Sequence, residues 1–171
     1  MSLHRYLSSA TLLTLTCVTQ AHAAPLVALV GKTEHGTTVD LADYKGKVVL
    51  LFFWSTECAV CLDLLPEMRG NLNGWRGKDF YIVAVNQDRA MANLNAYEQV
   101  LDKVAPPNSQ MKLVWRHDPA YRDSFGDFPV KTPTTVIIDR KGAMVKSVTG
   151  RAAPEVWDDI AELVLNCDTC Q

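Results

Sequence analysis

Six apolar residues in unbroken succession, Val48 to Phe53, constrain this chain more than any other feature. A strand with one face in water alternates apolar and polar residues. An unbroken run, β-branched at its front, reads as a strand buried on both faces, in the middle of a sheet. A helix follows: from Ala59 onward Val60, Leu64, Leu65 and Met68 recur at helical spacing, and Gly70 and Gly74 mark its weakening end. Pro66 lies inside that pattern, where it removes one backbone bond and bends the helix. Phe80 to Val85 is another β-rich run, followed by a polar-faced helix from about Arg89 to Val104 and a Pro106-Pro107-Asn108 break. Lys112 to Arg116 reads as a short strand, and Tyr121 to Phe125 as one helical turn before Gly126. Thr134 to Ile138 and Ala143 to Val148 form a hairpin across Asp139-Arg140-Lys141-Gly142. A last amphipathic helix runs from about Pro154 to Leu165, with proline in its first turn. Ahead of the buried strand, Pro25 to Val39 reads as short strands punctuated by Gly31 and Gly36, and Asp40 to Lys47 as a helical turn and tight loop. This order predicts an α/β fold with a central mixed β-sheet flanked by helices.

The 171 residues leave room for one domain. No basic block or Lys/Arg stripe interrupts a slightly acidic chain, which argues against a nucleic-acid partner. The first two dozen residues stand apart from the domain. His4 and Arg5 open a weakly positive start, Tyr6 to Val18 is apolar with interspersed Ser and Thr, and Ala21-His22-Ala23 is a small-x-small cleavage pattern. Residues 1–23 therefore read as a signal peptide, residues 24–166 as the domain, and 167–171 as a carboxy-terminal tail. The expected location is the periplasm, with an uncleaved amino-terminal segment anchored in the inner membrane as the alternative. Thr16 and Thr14 replace the small residue and Leu that acylation at Cys17 requires. Loss of Arg5 takes the formal charge from −2 to −3, and loss of Cys17 leaves two cysteine pairs, Cys58/Cys61 and Cys167/Cys170.

Cys58-Ala59-Val60-Cys61 follows the buried strand directly and opens the helix. Only a thiolate attacks a disulfide, and a helix amino-terminus stabilises negative charge through its free N–H groups and dipole. Two intervening residues set the sulfurs one turn apart, with Cys58 at the mouth and Cys61 deeper, placed to resolve a mixed disulfide. A lone pair at this spacing also serves as half of a zinc site. No second pair or His cluster lies at zinc-ribbon spacing, and the strand, helix and export context favours redox use.

The block Lys47 to Cys61 with Pro66-Glu67-Met68, and the later Lys131-Thr132-Pro133-Thr134-Thr135-Val136-Ile137-Ile138-Asp139 with Gly142, resembles the TlpA/ResA-like thiol–disulfide reductases over about Leu26 to Leu165. The resemblance implies a thioredoxin-like fold and an exported oxidoreductase that reduces protein disulfides by exchange. It implies Cys58 and Cys61 as the catalytic pair, no cofactor beyond their disulfide, no metal, and a membrane thiol carrier as electron donor; a monomer is expected. Base rates alone make Pro133 a trans proline, since about 5–6% of X–Pro bonds are cis. The resemblance makes it the cis-proline facing the disulfide, with Thr132 beside Cys58 and able to pair with an extended substrate. Trp54 is expected near the active site and is assigned with Thr132 and Pro133 to the substrate groove.

The chain also departs from that family. Glu57 stands where Trp is common before the first cysteine; it opposes the Cys58 thiolate if close, or is a solvated loop acid. Leu64 replaces a Glu three residues after the second cysteine, Phe52 matches the buried acid of ordinary thioredoxins, and Asp63 and Glu67 read as solvent-facing. Nothing basic lies inside the CxxC to hold the thiolate, which argues against a strong oxidant of the DsbA kind. The Cys167–Cys170 pair is not required by the family pattern. It closes a local disulfide, relays electrons to Cys58–Cys61, or binds a soft metal such as Cu(I). A copper-binding chaperone on the same fold is the rival function, opposed by the absence of the wider cysteine spacing and downstream His of Sco-type proteins.

Overall fold

The computed structural model describes residues 26–33, 35–105, 108–126 and 130–165. Residues 1–23 and the Cys167–Cys170 tail lie outside them. Eight strands and three α-helices follow in the order β1 (Leu29–Lys32), β2 (Thr38–Asp40), a 3-10 turn (Leu41–Tyr44), β3 (Val48–Trp54), α1 (Ala59–Gly74), β4 (Phe80–Asn86), α2 (Met91–Val104), β5 (Met111–Trp115), β6 (Arg122–Asp123), β7 (Thr134–Ile138), β8 (Met144–Thr149) and α3 (Glu155–Leu165). The main sheet runs β5-β4-β3-β7-β8, and β2-β1-β6 form a smaller one. β3 lies at its centre, parallel to β4 and antiparallel to β7, so the apolar run occupies the position its composition requires.

Alternate residues of β3 feed two cores. Val48, Leu50, Phe52 and Trp54 face the buried side chains of the helices, among them Leu65 and Met68 of α1, Leu94 of α2 and Ile160 of α3. Val49, Leu51 and Phe53 face the smaller sheet, where Leu29, Val39 and Leu41 cover them. The mixed sheet thus has helices on one face and a second layer of strands on the other. Pro66 sits inside α1 without ending it.

Two local readings change. Tyr121 to Phe125 is no helical turn: Arg122 and Asp123 form β6 and pair antiparallel with Val30 and Leu29 of β1. The cause is Asp123, whose carboxylate accepts from Tyr121 Oη at 2.8 Å, Arg116 Nε at 3.1 Å and the Phe125 amide at 2.8 Å. Those bonds hold the segment extended and turn it only afterwards. Burial, followed by the Asp123 hydrogen bond, pushes the Tyr121 phenol far above its ordinary range.

Gly31, read as punctuation between strands, lies within β1. Its missing side chain is the reason it belongs there: a Cβ would stand 2.3 Å from Val114 Cγ1 and 3.0 Å from Tyr121. Val114 is fully buried and, being β-branched, has little freedom to turn aside. Gly31→Ala is therefore expected to destabilise the fold by about 1–3 kcal/mol. A urea midpoint checks this, and Val114→Ala in the same chain should recover part of the loss.

Candidate active site

The geometry around Cys58 follows from the end of β3. Chain leaving Trp54 turns through Ser55 to Glu57, where Cys58 N–H donates to the Ser55 carbonyl at 3.2 Å. Cys58 then caps α1: its Sγ accepts the Cys61 amide at 3.1 Å, and its carbonyl accepts the Leu62 amide at 3.1 Å. Cys58 and Cys61 form a disulfide, with Cα atoms 5.1 Å apart. Their exposures differ: Cys58 is half-buried at the helix mouth, and Cys61 is fully enclosed. A sulfur at Cys58 is thus open to attack and sits at a helix start, where the Cys61 amide donates to it and the helix dipole favours its thiolate. No acidic side chain lies in the first turn of α1 to oppose that charge. Glu57, immediately before, is exposed to solvent.

Carboxylates behind the pair are few. Phe52 and Leu64 are buried apolar residues. Asp63 and Glu67 face solvent, where both approach Arg151, at 3.6 and 3.4 Å. The acid that sequence reasoning missed is Asp88, at the end of β4 and 5% exposed. Both its oxygens accept the Thr56 amide, at 3.0 and 3.2 Å, and Oδ2 also accepts from Asn86 Nδ2 at 3.0 Å. Its own N–H donates to Asn86 Oδ1 at 3.0 Å, and its carbonyl accepts from Trp115 Nε1 at 2.7 Å. The readable signal was Asn86-Gln87-Asp88, two Asx residues around a Gln at the close of a buried strand.

The groove residues separate. A cavity of about 480 Å³ opens at the loop that precedes Cys58 and is lined by Ser55, Glu57, Asp88, Arg89, Val130 and Thr132, among others. Thr132 therefore shares a wall with the active-site loop. The Thr132–Pro133 peptide bond is cis. Gln87 Nε2 donates to the Val130 carbonyl at 2.7 Å, tying this wall to the end of β4. Trp54 is not part of it. Its side chain is fully buried in the helix-side core, edge-on to Tyr97 with ring centroids 4.8 Å apart. The physical reason is register: as the last residue of β3 it points the same way as Phe52 and Leu50.

Both ends of the described chain gather at the far end of the sheet. Arg140 donates to the carbonyls of Gly46 at 2.6 Å and Val164 at 3.0 Å, so the last turn of α3 is held next to the start of β3. Cys58 lies beyond the other end of that strand. Leu26 bridges to Ala143 near the same pole as Gly46. Among the described residues no helix is long and apolar enough to cross a membrane, and no group of three or more His, Cys, Asp or Glu could hold a metal ion.

Comparison with known proteins extends over most of this frame. Residues 21–147 match the model of the AhpC/TSA family. The chain belongs to that family. Its relatives include the thiol-disulfide oxidoreductase ResA of Bacillus subtilis, 28% identical over 130 residues that cover 76% of this chain and 68% of that one. ResA of Halalkalibacterium halodurans is 26% identical over 75% of this chain and 69% of its own. A thioredoxin-type protein from Neisseria meningitidis superposes with a TM-score of 0.68 at 26% identity, covering 85% of this chain and 91% of that one. A DsbE-type thiol:disulfide interchange protein from Chlorobium tepidum gives 0.58 at 27% identity, covering 83% and 92%. The fold of this AhpC/TSA member is thioredoxin-like, and its CxxC pair stands at disulfide distance.

Proposed function

We propose that the protein is an exported thiol–disulfide oxidoreductase that reduces disulfides in other proteins. The observation that carries this reading is the unequal pair: an accessible Cys58 capping a helix over a sealed Cys61. In the reduced form the Cys58 thiolate attacks a substrate disulfide, forming a mixed disulfide and releasing one substrate thiol. Cys61, as thiolate, then attacks Cys58 Sγ. The second substrate thiol leaves, and two electrons have passed to the substrate. The Cys58–Cys61 disulfide is the product, and an external dithiol, supplied at the membrane, reduces it back to two thiols and is itself oxidised to a disulfide. Cys61 is shielded from substrate by its burial, so its attack is confined to the neighbouring sulfur. Thr132 and Pro133 form the wall along which an extended substrate segment lies, as an added strand would. The location we infer is the periplasm, from the amino-terminal pattern of residues 1–23.

The tail pair is best read as a local disulfide. Cys167 and Cys170 are close in sequence, and terminal thiols in an exported chain tend to oxidise to one another. Changing Cys167 and Cys170 to Ser is therefore expected to leave the rate at which the full chain reduces a disulfide substrate within about twofold, since a local disulfide takes no part in the exchange at Cys58. A stopped-flow comparison of the two chains tests this. A large slowing in the tail variant would make the tail a relay, and copper bound in stoichiometric amount by the wild-type chain alone would make it a metal site.

A further inference from the structure

We propose that Asp88 is a positioning residue for Cys58: it clamps the loop before the cysteine and so keeps that sulfur at the amino-terminus of α1. The inference rests on the exchange reading above only for its consequence, not for its geometry. Two connections tie the end of β3 to the end of β4. Gln87 N–H donates to the Trp54 carbonyl at 2.8 Å, and the Asp88 carboxylate takes the Thr56 amide with both oxygens. Thr56 is two residues before Cys58, and the Cys58 amide is itself held by the Ser55 carbonyl, so the clamp fixes the turn from both sides.

The clamp is built to stay in place. Asp88 is buried, and Asn86 beneath it is fully enclosed, at the last rung of both parallel ladders, opposite Trp54 and Trp115. Its side chain meets Asp88 at two points, as donor to the carboxylate and acceptor of the amide. Trp115 fixes the Asp88 carbonyl. Backbone ladders alone would hold β3 and β4 together. This polar set is placed where the ladder has ended and only the active-site loop remains to be held. A buried polar group satisfied this fully specifies one arrangement of its surroundings.

A carboxylate behind the loop has two effects on Cys58, and they oppose each other. Its negative charge disfavours the thiolate, while the position it enforces puts the sulfur at the helix start, where the Cys61 amide and the helix dipole favour it. The proposal is that position dominates, and two variants separate the effects. Asp88→Glu keeps the charge but moves the oxygens by about 1.5 Å, one carbon–carbon bond. Asp88→Asn removes the charge and retains one oxygen to accept the Thr56 amide.

The experiment is alkylation of the fully reduced chain across pH, read at Cys58 by peptide mass. It reports the thiolate directly and does not depend on whether the protein is a reductase. Asp88→Glu is expected to slow alkylation at pH 7 by roughly tenfold and to move the pH midpoint upward by about one unit, the equivalent shift in thiolate fraction. Asp88→Asn should slow it no more than about threefold. Gln110→Ala serves as the stability control. Gln110 bonds the Lys78 and Phe80 carbonyls at the opposite end of the sheet, and its loss should weaken the fold without moving the Cys58 midpoint. The proposal is overturned if Asp88→Glu alkylates at the wild-type rate, if Asp88→Asn is the faster-than-wild-type variant that a pure charge effect requires, or if Gln110→Ala moves the midpoint equally.

Discussion

Replacing Cys58 with Ser is expected to bring reduction of a protein disulfide by this chain down to the buffer background, whereas replacing Cys61 with Ser should stop turnover but not the first step. The distinction follows from where the two sulfurs lie. Cys58 is the half-buried cap of α1, and a Ser hydroxyl there has no nucleophilic form near neutral pH that could replace a thiolate. Cys61 is enclosed in the helix-side core and reaches only Cys58. Without it, and with Cys167 and Cys170 changed to Ser, Cys58 still attacks, and the mixed disulfide has lost the thiol that resolves it. A substrate-sized mass adduct on Cys58 should therefore accumulate in Cys61→Ser and be absent from Cys58→Ser. An adduct on Cys61 in Cys58→Ser would reverse the assigned roles.

Trp54→Ala should cost about 3–5 kcal/mol of stability, while Trp54→Phe should cost under about 1.5 kcal/mol. Trp54 is fully buried among Leu50, Phe52, Cys61 and Tyr97, so truncation opens a cavity that the sheet cannot close. Its indole Nε1 finds no hydrogen-bond partner among the described residues, so phenylalanine forfeits volume and no bond. Chemical denaturation measures both. A groove residue would behave the other way, with near-normal stability for both variants and weakened substrate affinity in each.

Much of this was readable from residue pattern, and the failures have physical causes. The unbroken run of β3 and the CxxC behind it announce a central strand feeding a helix mouth, because burial on both faces leaves no other place for such a run. The same strand also contained the answer for Trp54. Its period of two puts Trp54 on the face of Phe52, yet proximity in sequence to Cys58 suggested a groove. Tyr121 to Phe125 misled because a two-residue strand has no period to detect; side-chain bonds to Asp123 decide it, and those join residues only the fold brings together. Gly31 looked like punctuation because sequence cannot show that Val114, far along the chain, comes within 2.3 Å of where a Cβ would be. Asp88 was hidden for the same reason. Its partner is the Thr56 amide, 32 residues away, and a backbone group leaves no trace in composition.

The site also departs from the thioredoxin pattern in a way that bears on direction. By the resemblance, the buried apolar Phe52 matches the usual buried acid, and the buried carboxylate of this region, Asp88 just past β4, holds a backbone amide. Neither Ala59 nor Val60 offers a charge that would stabilise the thiolate beyond what the helix start provides. Strong oxidants depend on such stabilisation of their reduced form. The absence of such a charge supports the reducing direction proposed above.

The most direct test of the reducing assignment is the reduction potential of Cys58–Cys61, measured in glutathione redox buffers on the chain with Cys167 and Cys170 changed to Ser. The expected value lies near that of thioredoxin, about −270 mV, with a chain that reduces substrate disulfides when supplied with a dithiol. A value near that of DsbA, about −120 mV, would contradict it and make the protein a donor of disulfides.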